Sequence, residues 1–184
     1  MNDHNAPTKT PRTTIGRRAA LLALGLAAAF ASGAPATAAA SETPVIAYVK
    51  TVEGTALVHR GNETKPLSPG TALYQGDRIE TGEESTLGFT LMDGTRLAAG
   101  PNSKMMLDKF QFAQQEGTFE FVARVWSGTV EYFSGLLAKV SPGSTTFITP
   151  TGEITPKGTH FVIKVDDAPW PDEFAPAADR GAGA

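Results

Sequence analysis

Between residues 45 and 165 apolar side chains recur at every second position. Leu87, Phe89 and Leu91 alternate with Thr86, Gly88 and Thr90. Phe119 and Phe121 alternate with Thr118 and Glu120, and Val130 and Tyr132 with Thr129 and Glu131. Phe161, Ile163 and Val165 alternate with His160, Val162 and Lys164. A period of two places one row of side chains in a core and the other towards water. Val, Ile, Thr, Phe and Tyr suit such a pleated, half-buried surface. The pattern predicts an all-β domain of short strands, built as a sandwich or a solenoid-like stack. No helical period stands out, and residues 103–107 fit one helical turn or a strand equally. The predicted core is Val49, Leu57, Leu73, Ile79, Leu87, Phe89, Leu91, Leu97, Phe119, Phe121, Val130, Phe147, Phe161 and Ile163.

Turn signals break the strands at short intervals. Asp93-Gly94 between two apolar runs is the clearest hairpin, because both residues accept positive φ. Gly-Thr occurs six times, at 54, 70, 94, 117, 128 and 158, with glycine supplying the turn and threonine opening a strand. The intervals are irregular, so a regular repeat is not expected.

The first 40 residues read as an address rather than structure. Lys9, Arg12, Arg17 and Arg18 precede an Ala-rich apolar run, and A-x-A sites follow at residues 36–38 and 38–40. This is the layout of a secretory signal peptide, and the paired Arg17-Arg18 carries the twin-arginine export feature. The expected organisation is a signal peptide at 1–40, a β domain at 41–165 and a tail at 166–184. The expected location is the periplasm, with membrane attachment only if the signal stays uncleaved. Removing the signal takes four of the 16 basic residues and one of the 19 acidic ones, leaving a net charge of −6. Nucleic acid and anionic lipid both need a positive surface, so neither is an expected partner. The tail is rich in Pro, Ala and acidic residues, a composition that predicts disorder. Trp170 and Phe174 are out of place there, and either dock back on the domain or form a partner-binding segment.

The chain contains no cysteine and three histidines, His4, His59 and His160. Thiol chemistry is excluded, and no metal-ligand spacing or nucleophile motif occurs. No catalytic residue, metal or cofactor is expected. Asp77, Glu83, Glu84, Asp93 and Asp108 could supply a carboxylate pair for hydrolysis. Asp77 and Asp93 each flank a glycine, however, where aspartate is favoured for bonding the local backbone.

Four blocks then line up with a known pattern. They are residues 52–61 (VEGTALVHRG), 73–82 (LYQGDRIETG), 91–97 (LMDGTRL), and 147–152 (FITPTG) followed by 157–163 (KGTHFVI). In order and spacing the chain resembles the FecR domain, named for the periplasmic regulator of ferric citrate transport. The resemblance implies a non-enzymatic, all-β signalling or interaction domain. It also implies an envelope protein partner such as a receptor, sensor or transporter. It makes Gly76, Asp77, Asp93, Gly94, Gly158 and Thr159 structural turn residues. The 18 residues before the apolar run are too few for the anti-sigma segment of the full-length regulators, so a stand-alone exported domain is expected. Binding would use strand addition or an exposed aromatic patch of Trp126, Tyr132 and Phe133. A structural envelope protein that binds cell-wall glycan is the second reading, and a small carboxylate-dependent hydrolase the third.

Overall fold

The computed structural model describes residues 43–166 and 168–174. The signal peptide expected at 1–40 and the tail's end at 175–184 lie outside the described residues. The all-β expectation holds. Twelve strands and one short helix are described: β1 (Val45–Glu53), β2 (Ala56–Arg60), β3 (Glu63–Pro66), β4 (Ala72–Tyr74), β5 (Arg78–Thr81), β6 (Thr86–Leu91), β7 (Arg96–Ala99), β8 (Lys104–Ala113), β9 (Thr118–Phe133), α1 (Leu136–Val140), β10 (Thr145–Thr149), β11 (Gly152–Ile154) and β12 (His160–Val165). They form a curled half-barrel sheet in the order β3-β2-β5-β8-β9-β7-β6-β1-β4. Neighbours are antiparallel, except that β10 runs parallel to β9. Residues 103–107, ambiguous by pattern, belong mainly to β8. The Asp93-Gly94 hairpin joins β6 and β7 as predicted.

Two expectations need correction. The strands are not uniformly short, because β9 runs for 16 residues. A helix is also present: α1 occupies five residues and buries Leu137. Its period was invisible because a single turn carries only one inward side chain.

The long strand organises the sheet. Its first half lies between β8 and β10, and its second half between β7 and β12. Gly128 marks the change, with φ of 88°. A Cβ there would sit 2.4 Å from the Ser103 Cα, so only glycine fits. Ser103 Oγ accepts from Thr129 N (3.1 Å) and donates to Gly100 O (2.8 Å), which pins the corner.

Both halves share one core. Phe121 and Phe147 come from one half, and Tyr132 and Phe161 from the other. Their rings meet at centroid distances of 4.8–5.8 Å, mostly edge to face. Such contacts contribute beyond the area they bury. Of the predicted core, Leu57, Phe119 and Phe161 are only half-buried. In β2 it is Ala56 and Val58 that face inward, which turns Leu57 and His59 to the outer face.

Candidate functional site

The outer face of the β2-β5-β8-β9-β10 half carries a cross-strand row. Register places Thr64, His59, Arg78, Met106, Arg124 and Ile148 side by side on consecutive strands. These positions alternate with the buried Val58, Ile79, Met105, Ala123 and Phe147, so they project away from the core. Trp126 shares this face because it lies two residues after Arg124, with the buried Val125 between them. It is also the extra residue of a bulge on β9, since Lys104 pairs with Ser127 and Met105 with Val125.

Residues 168–174 lie across the row. Pro171 O accepts from Phe174 N at 2.8 Å, closing a turn that swings two aromatic rings to the same side. Trp170 packs on Trp126 at 4.7 Å and Phe174 on Trp126 at 5.2 Å. His59 meets the Trp170 ring edge-on at 6.5 Å. Arg124 lies over the Phe174 ring at 5.1 Å while its Nε pairs with Asp108. Arg78 donates to Phe174 O at 2.6 Å and to Gly61 O at 2.8 Å. Lys104 Nζ approaches Ala168 O at 3.5 Å. Trp126, Trp170, Met106 and Phe174 form a small apolar cluster separate from the main core. A cleft of about 530 Å³ runs between this segment, the middle of β9 and the end of β10. Disorder predicted from composition therefore does not apply to 168–174. Trp170 is 4 % exposed, since one aromatic anchor outweighs the polar flanks.

The electrostatics of the slot are specific. His59 Nδ1 is 2.9 Å from Thr64 Oγ1, and its Nε2 is 3.1 Å from Glu80 Oε2. The His59 contact holds the Glu80 carboxyl below the usual glutamate value, against the opposing effect of burial; Lys104 helps. The indole N–H of Trp170 is buried with no acceptor in hydrogen-bonding geometry. It lies near enough to the Glu80 carboxylate to pull its pKa down weakly. An unmade hydrogen bond of this kind costs about 1–3 kcal/mol.

The predicted site residues fall in three places. Asp77 and Asp93 are fully buried structural groups. Asp77 takes a bidentate pair from Arg60 at 2.7 Å and 2.7 Å, plus Tyr74 N at 2.9 Å. That contact pushes the Arg60 guanidinium pKa up. Asp93 accepts from Thr95 N (3.0 Å), Thr95 Oγ1 (2.7 Å) and Leu137 N (3.0 Å), tying the hairpin to α1. Gly76 and Gly94 hold the adjoining turns at positive φ. Glu83 and Glu84 are exposed, and Asp108 is engaged with Arg124.

Gly158 and Thr159 precede β12 and line a second cleft, of about 510 Å³, together with Tyr132. Phe133 is half-buried on the outer face of the other half of the sheet. The expected exposed patch of Trp126, Tyr132 and Phe133 does not exist as one surface. Alternation along β9 turns Tyr132 into the core at 1 % exposure, and burial pushes its phenol pKa up. Trp126 is covered by residues 168–174.

His59, Arg78, Glu80, Lys104 and Arg124 were not singled out by sequence reasoning. The signals for their site were Trp126 and the pair of aromatic residues in the tail. Among the described residues no three His, Asp or Glu side chains converge as metal ligands, and no helix is long and apolar enough to cross a membrane. The chain matches no family model, no curated protein and no solved structure.

Proposed function

We propose that this chain is an exported, FecR-like protein-interaction module of the bacterial envelope, and that it is not an enzyme. The observation carrying the reading is the slot on the outer sheet face. A stretch of aromatic-anchored chain already sits there against His59, Arg78, Trp126 and Arg124. A surface that holds a peptide segment by two ring contacts and a main-chain carbonyl has the features of a peptide-recognition site. The FecR-like order of the four sequence blocks and the signal-like first 40 residues support the envelope setting. The commitment of Asp77 and Asp93 to internal hydrogen bonds removes the most plausible carboxylate chemistry.

The test is cross-linking in cells from a photo-reactive residue placed at position 149, on the wall of the cleft beside the slot, in a full chain carrying Trp170→Ala and Phe174→Ala. An envelope receptor, sensor or transporter captured at 149, with capture blocked by excess peptide of the tail sequence added before irradiation, supports the reading. Glycan fragments, or a capture pattern identical to an exposed control position, overturn it.

A further inference from the structure

The slot also specifies the chemistry of what it takes, an inference that rests on the interaction-module reading. We propose that it receives an acidic peptide segment of a partner protein, with a Trp and a second aromatic residue four positions on. In this proposal the chain's own residues 168–174 are a resident, displaceable occupant.

Three observations lead there. First, the slot's walls carry three cations, Arg78, Arg124 and Lys104, against two carboxylates, Glu80 and the Asp108 paired to Arg124, so the surround of the aromatic floor is net positive. The seated segment APWPDEF carries Asp172 and Glu173, both exposed at the rim. Opposite charge at a rim mainly steers encounter and selects among partners. Second, recognition uses features that any such peptide can offer. Phe174 gives its ring to Arg124 and Trp126 and its carbonyl to Arg78; Trp170 gives its ring to Trp126 and His59. Among the described residues, no side chain of the folded domain reaches Asp172 or Glu173 within hydrogen-bond or ion-pair distance. The intervening residues are therefore free to vary, within a turn. Third, the fit of the resident segment is imperfect. The Trp170 indole N–H is buried and unpaired beside the Glu80 carboxylate. A partner's Trp entering at a slightly different angle would complete that bond, which the tethered segment, held only five residues from the end of β12, does not reach.

Tethering sets the size of the competition. A short flexible tether gives an effective concentration on the order of 1 mM. For a peptide binding the empty slot with a dissociation constant near 100 μM, the resident segment would weaken apparent affinity about ten-fold.

The probe is a fluorescein-labelled peptide of residues 166–179, read by anisotropy against the full-length chain. The Trp170→Ala/Phe174→Ala chain should bind it saturably, and the unsubstituted chain about ten-fold more weakly. A probe with Trp replaced by Ala should not bind, and Arg124→Gln in the opened chain should reduce binding at least several-fold. Trp126→Ala tests the floor; if it fails to fold, Arg124→Gln stands in for it. Equal binding to the opened and unsubstituted chains, or no binding to the opened chain, overturns the proposal. So does a wild-type dimer in sedimentation that dissociates on adding the probe, since it assigns the slot to a second copy. Failure of the two readings is distinguishable. A probe that binds while no envelope protein is captured at position 149 overturns the module reading and keeps the peptide chemistry. A partner whose capture the probe does not block does the reverse.

Discussion

The two halves of the sheet carry similar residues on their outer faces and use them differently. Opposite the slot, on the β1-β6-β7-β9-β12 side, register aligns Tyr48, Thr90, Arg96, Phe133 and His160 across five strands. Arg96, Phe133 and His160 find their partners on the sheet itself. Arg96 lies over Phe133 at 5.0 Å, His160 stacks on Phe133 at 4.2 Å, and His160 Nε2 reaches Glu131 at 2.7 Å. On the slot side Arg78, Trp126 and Arg124 are completed by a segment from outside the sheet. Both faces place arginine against an aromatic ring, but one is internally closed and the other takes an added chain. Need for an added partner, rather than aromatic content, distinguishes a recognition surface from a decorated one.

The largest expected effect is one that erases the comparison by breaking the corner joining the halves. Gly128→Ala would set a Cβ 2.4 Å from Ser103 Cα at a φ of 88°. Backbone contacts cannot yield cheaply, so a loss of at least about 3 kcal/mol is expected in urea unfolding. Both faces should be lost in one cooperative transition, because the aromatic core spans them. Asp93→Ala comes next. It removes acceptors from Thr95 and Leu137 and leaves buried donors unpaired, for about 2–4 kcal/mol. It acts on the closed side, so the unfolding midpoint should fall while tail-peptide binding by the chain that remains folded is unchanged. A catalytic role for Asp93 would instead leave stability near wild type.

Much of the fold was legible because alternation has one physical cause, a half-buried sheet. Leu87, Phe89, Leu91, Val130 and Ile163 are buried where the period places them. Asp93-Gly94 was legible because its turn chemistry is local. The site was less so. His59, Arg78 and Arg124 lie 65 positions apart at the extremes and meet only through strand register, which a period of two does not encode. Trp126 reaches the outer face by alternation, but Tyr132, six residues on and in the same phase, faces the core, and the bulge and Gly128 corner that flip the phase leave no mark on composition. Leu57 was misplaced because β2 is five residues long, and a short run fits either phase of the alternation. The blocks behind the family resemblance contain His59, Arg78 and Glu80, but their shared positions mark turns, so they guide the eye to Asp77 and Asp93 rather than to the slot.

Smaller effects sharpen the contrast between the faces. Trp170→Ala removes the main anchor of the added segment. The main core does not contain Trp170, so the penalty is limited to the docking energy, about 1–2 kcal/mol, and appears as local rather than global opening. Amide exchange should accelerate in residues 168–174, and Trp126 emission should shift to the red. Phe133→Ala on the closed face should cost about 1 kcal/mol or less, with no change in exchange around Trp126. An equal response of both faces would remove the distinction between them.

The smallest effect separates the faces by pH. Glu80 belongs to the slot side, and His59 holds its pKa below the ordinary glutamate value of 4.5, with Lys104 and Trp170 assisting. A carboxyl depressed in the folded state contributes stability that is fully present above its unfolded value. That stability is lost as pH falls through the lower folded value. Glu80 is about half-buried, so screening keeps the contribution modest, at roughly 0.5–1 kcal/mol. Between neutral pH and about pH 5 the docked segment should therefore hold with respect to Glu80. Below pH 4.5 protonation removes the charge facing His59, Lys104 and the Trp170 indole. Exchange in residues 168–174 should then rise before the core unfolds. Glu80→Gln should remove this acid step and leave the closed face untouched. If the acid step persisted in Glu80→Gln, the loosening would belong to another group, and the His59–Glu80 pair would have no part in holding the segment.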